Sequence, residues 1–341
     1  MQLLDFLHLT AAGRDLTTDQ ASEALDIIFA GQTSAAVLAA FLVALRMKGE
    51  TASELAGFAQ SMRRHAQTVT VRRDGTPLLD TCGTGGDGLG TFNISTVAAF
   101  VAAGAGVRVA KHGNRSISSR CGSADLLEAL GARAALTAAQ AGEAIDTVGI
   151  GFLFAPSFHP AMRHVQPVRQ ELRLRTVFNL LGPLTNPAQA DCQVIGAPSE
   201  SFAERMAQAL VQLQLRRGFV VHGEGMDEVS TAGTSVAYFV TPEGVERREY
   251  VPEDFGVARA VPEQLQGGDA IANAVIARDV LGGARGPRRD VVLVNAAMAL
   301  LAAEKAGDVA EAMAQARKSV DSGRAARKLS DYVAFTQTTP E

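Results

Sequence analysis

Residues Asp80 to Thr96 read DTCGTGGDGLGTFNIST. Five of the eight positions from Gly83 to Gly90 are glycine, and the run ends in small polar residues. PLLD (77–80) leads into it as a short apolar strand, and TVAAFVAAGA (96–105) comes after it with the composition of a buried helix. A strand, a glycine turn and a helix form the first half of a strand–helix–strand unit, so this stretch points to an α/β fold. Gly83-Thr84-Gly85-Gly86-Asp87-Gly88 also satisfies the G-x-G-x-x-G pattern of dinucleotide sites.

The dinucleotide reading fails on the residues beyond the loop. It requires an acid about 20 residues on, at the end of the second strand, to hold ribose hydroxyls. That strand, VRVAKHG (107–113), has none, and no Asp or Glu lies between Asp87 and Asp125. The helix does not open at the last glycine either, because Phe92 to Thr96 intervene. A P-loop is excluded, since the glycines lead into no Gly-Lys-Ser/Thr. Local charge points to another anion. From Thr81 to Ala124, Asp87 stands alone against Arg108, Lys111, Arg115 and Arg120, in a chain of net charge −4. Glycine-turn N–H groups and helix starts at Ser95-Thr96 and Ser123 add donors, which together describe a cradle for a multiply charged anion. A pair of solvated surface loops is the alternative.

Outward from this stretch the texture alternates: helix SADLLEALGA (123–132), strand GIGFLF (149–154), strand CQVIGA (192–197), helix SFAERMAQALVQL (201–213), and strands GFVVHG (218–223) and SVAYFV (235–240). Asp290 to about Asp331 reads as helix. The first 66 residues also read as helix, with capping boxes at Thr17-x-x-Gln20 and Thr51-x-x-Glu54 and a stop at Gly49. A proline-rich segment with a helical middle interrupts the α/β part and carries Arg163, Arg169, Arg173 and Arg175 against one acid, Glu171. The expected organisation is a small helical domain, 1–70, to which 163–187 returns as a hinge, and a large α/β domain of 71–162 and 188–341. Its sheet is expected to be mostly parallel or mixed, with helices on its faces.

The bulk numbers agree with a globular chain. The 341 residues suit about two domains, with 47% apolar and 20% charged residues. The charge balance supplies no general field for nucleic acid. Cys82, Cys121 and Cys192 lack C-x-x-C spacing and read as reduced thiols of a cytoplasmic protein. The N-terminus lacks the marks of a secretory signal, and no apolar run reaches membrane-spanning length.

GTGGD, NIST and KHGNRSISSRCGSADLLEALG (111–131) resemble the signature of the anthranilate phosphoribosyltransferases, as do GIGFLFAPSFHPAMRHVQPVRQELRLRTVFNLLGPLTNP and GMDEVS. The resemblance runs from the N-terminal helices nearly to the C-terminus, and the lysine-loop motif is its most specific part. It implies the two-domain nucleoside-phosphorylase-like fold and transfer of phosphoribose from 5-phosphoribosyl 1-pyrophosphate to the amine of anthranilate, in tryptophan biosynthesis.

The resemblance also implies residue roles. Phosphoribosyl pyrophosphate falls to Gly83, Gly86, Asp87, Thr91, Asn93, Ser95, Thr96, Lys111, Asn114, Ser119 and Ser123. Anthranilate falls to Gly83, His112, Asn114 and Arg169. Ser95, Asp227 and Glu228 fall to Mg²⁺. A guanidinium at Arg169 suits a carboxylate on physical grounds as well. The family further implies a homodimer joined through the N-terminal helices; apolar residues at helical spacing, Val37, Phe41 and Leu45, suit either such a face or the small domain's own core. No acid–base residue is assigned. Two other functions share this fold class: pyrimidine nucleoside phosphorylase, whose loops differ from those quoted, and non-catalytic relatives that bind nucleic acid and lack an intact lysine loop.

Overall fold

The computed structural model describes residues 1–83, 89–116 and 120–339. Four helices, α1 (Leu3–Ala11), α2 (Thr18–Phe29), α3 (Ala35–Lys48) and α4 (Ala52–Arg64), form the N-terminal bundle. Both capping boxes are present. The hydroxyls of Thr17 and Thr51 accept from the N–H groups of Gln20 and Glu54, whose side chains accept in return. Gly49 ends α3 at φ +86°. Phe41 and Leu45 are fully buried in the core that the bundle shares and Val37 is half-buried, so of the two roles their spacing allowed these residues take internal packing.

The α/β part opens with β1 (Leu78–Gly83), α5 (Ile94–Gly104), β2 (Arg108–Gly113), α6 (Ser123–Ala129), α7 (Ala138–Thr147) and β3 (Ile150–Phe154). Short helices α8 (Ala155–Phe158), α9 (Gln166–Leu172) and α10 (Phe178–Leu181) carry the chain past the bundle, where α9 packs on α3. The chain then returns through β4 (Cys192–Gly196), α11 (Glu200–Gln212), β5 (Arg217–Gly223), β6 (Ser235–Thr241) and β7 (Gly244–Tyr250). It closes with α12 (Ala270–Leu281), α13 (Pro287–Ala302), α14 (Val309–Asp321) and α15 (Arg324–Thr338).

The seven strands form one sheet in the order β3-β2-β1-β4-β5-β6-β7, parallel from β3 to β5 and antiparallel thereafter. This is the mixed sheet expected beside a helical bundle. Strand β7 escapes the sequence reading because GVERREY has no apolar alternation. It is an edge strand whose exposed charges pair locally, Arg248 with Glu246 and Arg247 with Glu200 and Glu249. Helices α7 and α12 were likewise outside that reading.

One layer of core joins α5, α12, α13, α14 and α15 to one sheet face. A second joins the bundle to α11 and the opposite face, through Ile195, Val220, Met206 and Leu210. The strand order reverses between β1 and β4, which makes a crevice at their C-terminal ends, the usual ligand position in open parallel sheets.

Candidate active site

The C-terminal ends of β1, β2, β4 and β5 lie along one edge of the sheet, because these strands run parallel with Gly83 opposite Gly196 and Gly196 opposite Val221. Each end releases a motif segment. The glycine loop leaves β1, the lysine loop leaves β2, and the turn holding Asp227 and Glu228 leaves β5. β4 contributes absence of bulk. A Cβ on Gly196 would lie 1.6 Å from the Asp227 carbonyl oxygen, so only glycine lets the acidic turn fold over the strand toward α5.

These ends meet at the start of α5. The Ser95 N–H donates to Glu228 Oε1 at 3.0 Å. Thr81 Oγ1 donates to the Ser95 carbonyl at 3.1 Å. Lys111 is buried, and its Nζ donates to the Thr81 carbonyl and reaches Ser95 Oγ at 3.5 Å. Burial pulls the Lys111 pKa down, while the charges of Asp80, Cys82 and Glu228 oppose that shift. The same surroundings push the Cys82 thiol well up, burial first, so it is no thiolate nucleophile.

A second cluster joins the two loops. Thr96 Oγ1 donates to Ser123 Oγ at 3.1 Å. Asn93 Nδ2 donates to the Cys121 carbonyl at 3.0 Å, and Asn93 Oδ1 accepts from Asn273 Nδ2 at 3.0 Å. Thr91 pairs with Gln266. Lys111, Ser95, Glu228, Asn93, Thr96 and Ser123 therefore occupy one connected region, and the Gly196 contact brings Asp227 to its border. Asn114 lies on the exposed stretch after β2. Its carbonyl accepts from Ala124 N and its Oδ1 from Arg115 N. Gly83 is the exposed end of β1. Gly86, Asp87 and Ser119 fall outside the described residues.

His112 and Arg169 are placed differently. His112 is buried, with Nδ1 at 3.0 Å from the Gly182 carbonyl and its ring 5.3 Å from that of His159. Burial lowers both imidazole pKa values, that of His159 to about 3, so both rings are neutral near pH 7. Arg169 is on α9, half-buried, donating to Asn179 Oδ1 at 3.4 Å and lying over the Phe178 ring. Burial lowers its pKa from an arginine's ordinary value.

The local surplus of positive charge is smaller than the linear sequence indicates. Arg115 pairs with Asp125 and Glu128, and Arg108 pairs with Asp146, all acids beyond the stretch considered. Lys111 is the cation of that stretch that enters the cluster. Sequence reading also missed the buried polar residues behind the motifs. Asp80 accepts from His112 N at 3.0 Å and from Asn186 Nδ2 at 2.8 Å, and Asn186 also donates to the Ala110 carbonyl. Asn273 and Asn295 are likewise buried and bonded. An isolated asparagine in a helical segment carries no motif, so no local signal could have marked the last two.

A helical bundle beside a mixed sheet, with polar motif segments meeting at the strand ends, is the architecture of a glycosyl transferase family. Family models agree. Residues 4–66 match the helical bundle domain of the glycosyl transferase family and residues 75–326 its a/b domain. An anthranilate phosphoribosyltransferase of Solibacter usitatus is 57% identical over 338 residues, covering 98% of this chain and 97% of that one. The crystal structure of the Thermus thermophilus enzyme of that name matches with TM-score 0.92 and 47% identity, over 98% of this chain and 100% of that one. The Saccharomyces cerevisiae enzyme in complex with PRPP and Mg matches with TM-score 0.90 and 28% identity, over 99% and 98%. The chain belongs to the anthranilate phosphoribosyltransferases, transferases of tryptophan biosynthesis. The phosphorylase and nucleic-acid-binding alternatives are thereby set aside.

Proposed function

We propose that the chain transfers phosphoribose from 5-phosphoribosyl 1-pyrophosphate to the amine of anthranilate through the residues that meet at the start of α5. The observation that carries this reading is the convergence of Lys111, Ser95 and Glu228 at the ends of three parallel strands. The glycine loop, Asn93, Thr96, Ser123 and the lysine loop with Asn114 would hold the ribose and phosphates. Gly83, His112, Asn114 and Arg169 would receive anthranilate. The ribose C1–O bond to pyrophosphate breaks, the C1–N bond forms, and the proton lost by the arylamine passes to the departing pyrophosphate or to water. Lys111 and backbone N–H groups would stabilise charge as it moves onto the departing oxygen. Positioning of the amine against C1 accounts for the rest, since an arylamine is already a nucleophile.

Mg²⁺ fits the acidic turn. Asp227, Glu228 and Ser95 offer oxygen only, and no group of three or more His, Cys, Asp and Glu able to hold a metal occurs among the described residues. That suits an ion that takes one or two carboxylates and completes its shell with water and substrate phosphates. When bound, the ion supplies positive charge that neutralises the leaving pyrophosphate.

We also infer a cytoplasmic homodimer joined through the bundle. Cys82, Cys121 and Cys192 form no disulfide among the described residues, and among those residues no helix is long and apolar enough to cross a membrane. Leu4 and Met47, on α1 and α3, are 42% and 83% exposed and supply apolar surface for the contact. We infer the same two domains, a small one of 1–70 with 163–187 and a large one of 71–162 with 188–341.

The test is loss of anthranilate fluorescence in the presence of phosphoribosyl pyrophosphate and Mg²⁺. The double variant Asp227→Asn, Glu228→Gln is expected to lose roughly a hundredfold or more in rate, since metal stabilisation of a leaving group is worth several kcal/mol. Near-normal turnover with an unchanged Mg²⁺ dependence would remove the pair from the site.

A further inference from the structure

We propose that Asn295, a buried residue in the middle of α13, is the positioning residue that sets the acidic turn for its metal. The proposal rests on the assignment of Asp227 and Glu228 to Mg²⁺ given above. Asn295 is 3% exposed. Its Oδ1 accepts from the Val229 N–H at 2.9 Å, and its Nδ2 donates to the Val229 carbonyl at 2.9 Å. Both backbone groups of the residue after Glu228 are thus gripped by one amide. The remaining Nδ2 hydrogen goes to the Val291 carbonyl, one turn back along the same helix, at 2.9 Å. That third bond fixes the rotamer of the side chain making the other two.

The setting is rigid on both sides. Helix α13 is buried from Val291 to Ala302 and packs on α5, the helix whose first turn carries Ser95. On the other side, Gly196 places β4 directly beneath the Asp227 carbonyl. Asp227 and Glu228 are therefore held between a strand end and a helix, and Glu228 Oε1 reaches Ser95 N at 3.0 Å. Glu228, Ser95 and Asn295 line the same small cavity. Asparagine is a poor helix former, and a buried amide is costly unless all its bonds are made. A residue that breaks local preference in this way is expected where a site needs it. The consequence is specific. Losing the grip on Val229 lets the turn rotate and changes the spacing of the two carboxylates, so metal affinity falls before any other property.

The experiment uses the full chain as Asn295→Leu, which keeps the branching at Cγ but makes none of the hydrogen bonds, and as Asn295→Ala. Mn²⁺ binding in the presence of pyrophosphate is read from the resonance of free Mn²⁺, alongside the unliganded thermal midpoint and the Mg²⁺ dependence of turnover. Both variants are expected to raise the Mn²⁺ dissociation constant tenfold or more, and turnover should recover in part at high Mg²⁺. Binding within twofold of the unaltered chain, with only a lower midpoint, would make Asn295 a scaffold residue and overturn the proposal. Loss of the fold in both variants would overturn it too. The Asp227→Asn, Glu228→Gln chain is measured in parallel. If it binds Mn²⁺ normally, the metal assignment itself fails; if it alone loses binding, only the role of Asn295 does.

Discussion

Arg169 shows how much of a residue's role depends on its surroundings. In sequence it is one of four arginines in a proline-rich segment. In the fold it is half-buried over Phe178, with an asparagine rather than an acid as its hydrogen-bond partner. A desolvated guanidinium with spare donors is suited to an incoming carboxylate. Arg169→Ala is expected to raise the KM for anthranilate roughly ten- to hundredfold, as loss of a charge-assisted contact worth about 1.5–3 kcal/mol would, and to change the KM for phosphoribosyl pyrophosphate little. Initial-rate kinetics with each substrate varied in turn check this, and an unchanged anthranilate KM with normal kcat contradicts it. Lys111 makes the complementary point. Its motif identified it, but only the sheet register, Lys111 opposite Phe152 and β2 beside β1, turns it toward Thr81 and Ser95. Arg108 and Arg115 looked equivalent to it by local charge and are instead tied to acids that the fold brings in.

At the scale of elements, local signals and packing usually agree, and Gly57 is where they part. It lies inside α4, where glycine costs about 1 kcal/mol relative to alanine. Propensity alone therefore makes Gly57→Ala a stabilising change. A Cβ there, however, would stand 2.1 Å from the Thr18 carbonyl at the start of α2, with Ala21 at 2.9 Å. The obstacle is backbone, so the two helices must separate, at a cost typical of overpacking, about 1–3 kcal/mol. Packing wins, and the variant should melt roughly 2 °C or more below the unaltered chain. A scanning thermal measurement decides the matter, and a raised midpoint would show that propensity governs this contact. The same contest explains which elements were legible. Capped helices α2 and α4 and the apolar strands β1 to β5 announce themselves because cap, period and burial coincide. Edge strand β7 does not, since its face is water and its partner is β6.

For the molecule as a whole, the bundle and the sheet share a core layer, with Leu25, Phe58 and Met62 in the same cluster as Met206, Leu210 and Val220. Phe41 and Leu45 fill the small domain's own core, the second of the two roles their spacing allowed, so the proposed homodimer is expected to use surface apolar residues of the bundle such as Leu4 and Met47. Light scattering at micromolar concentration should report twice the chain mass, and Met47→Glu should shift it toward the monomer. A monomeric unaltered chain would refute the dimer. By itself the sequence determined the fold class and an anion-binding pair of glycine- and lysine-bearing loops, because turn chemistry and capping are properties of consecutive residues, while the reaction followed from the resemblance of its motifs to the family. Only the tertiary structure decided which cations stay available, which apolar faces are already buried, and which buried amides hold the site. Asn186 and Asn295 sit far along the chain from the Ala110 and Val229 carbonyls they satisfy, and Asn273 ties the nearby Gly268 N–H to the distant Asn93. For Asn186 and Asn295 the value lies in satisfying a backbone group that no local pattern mentions, and that pairing exists only once the sheet has brought the strand ends together.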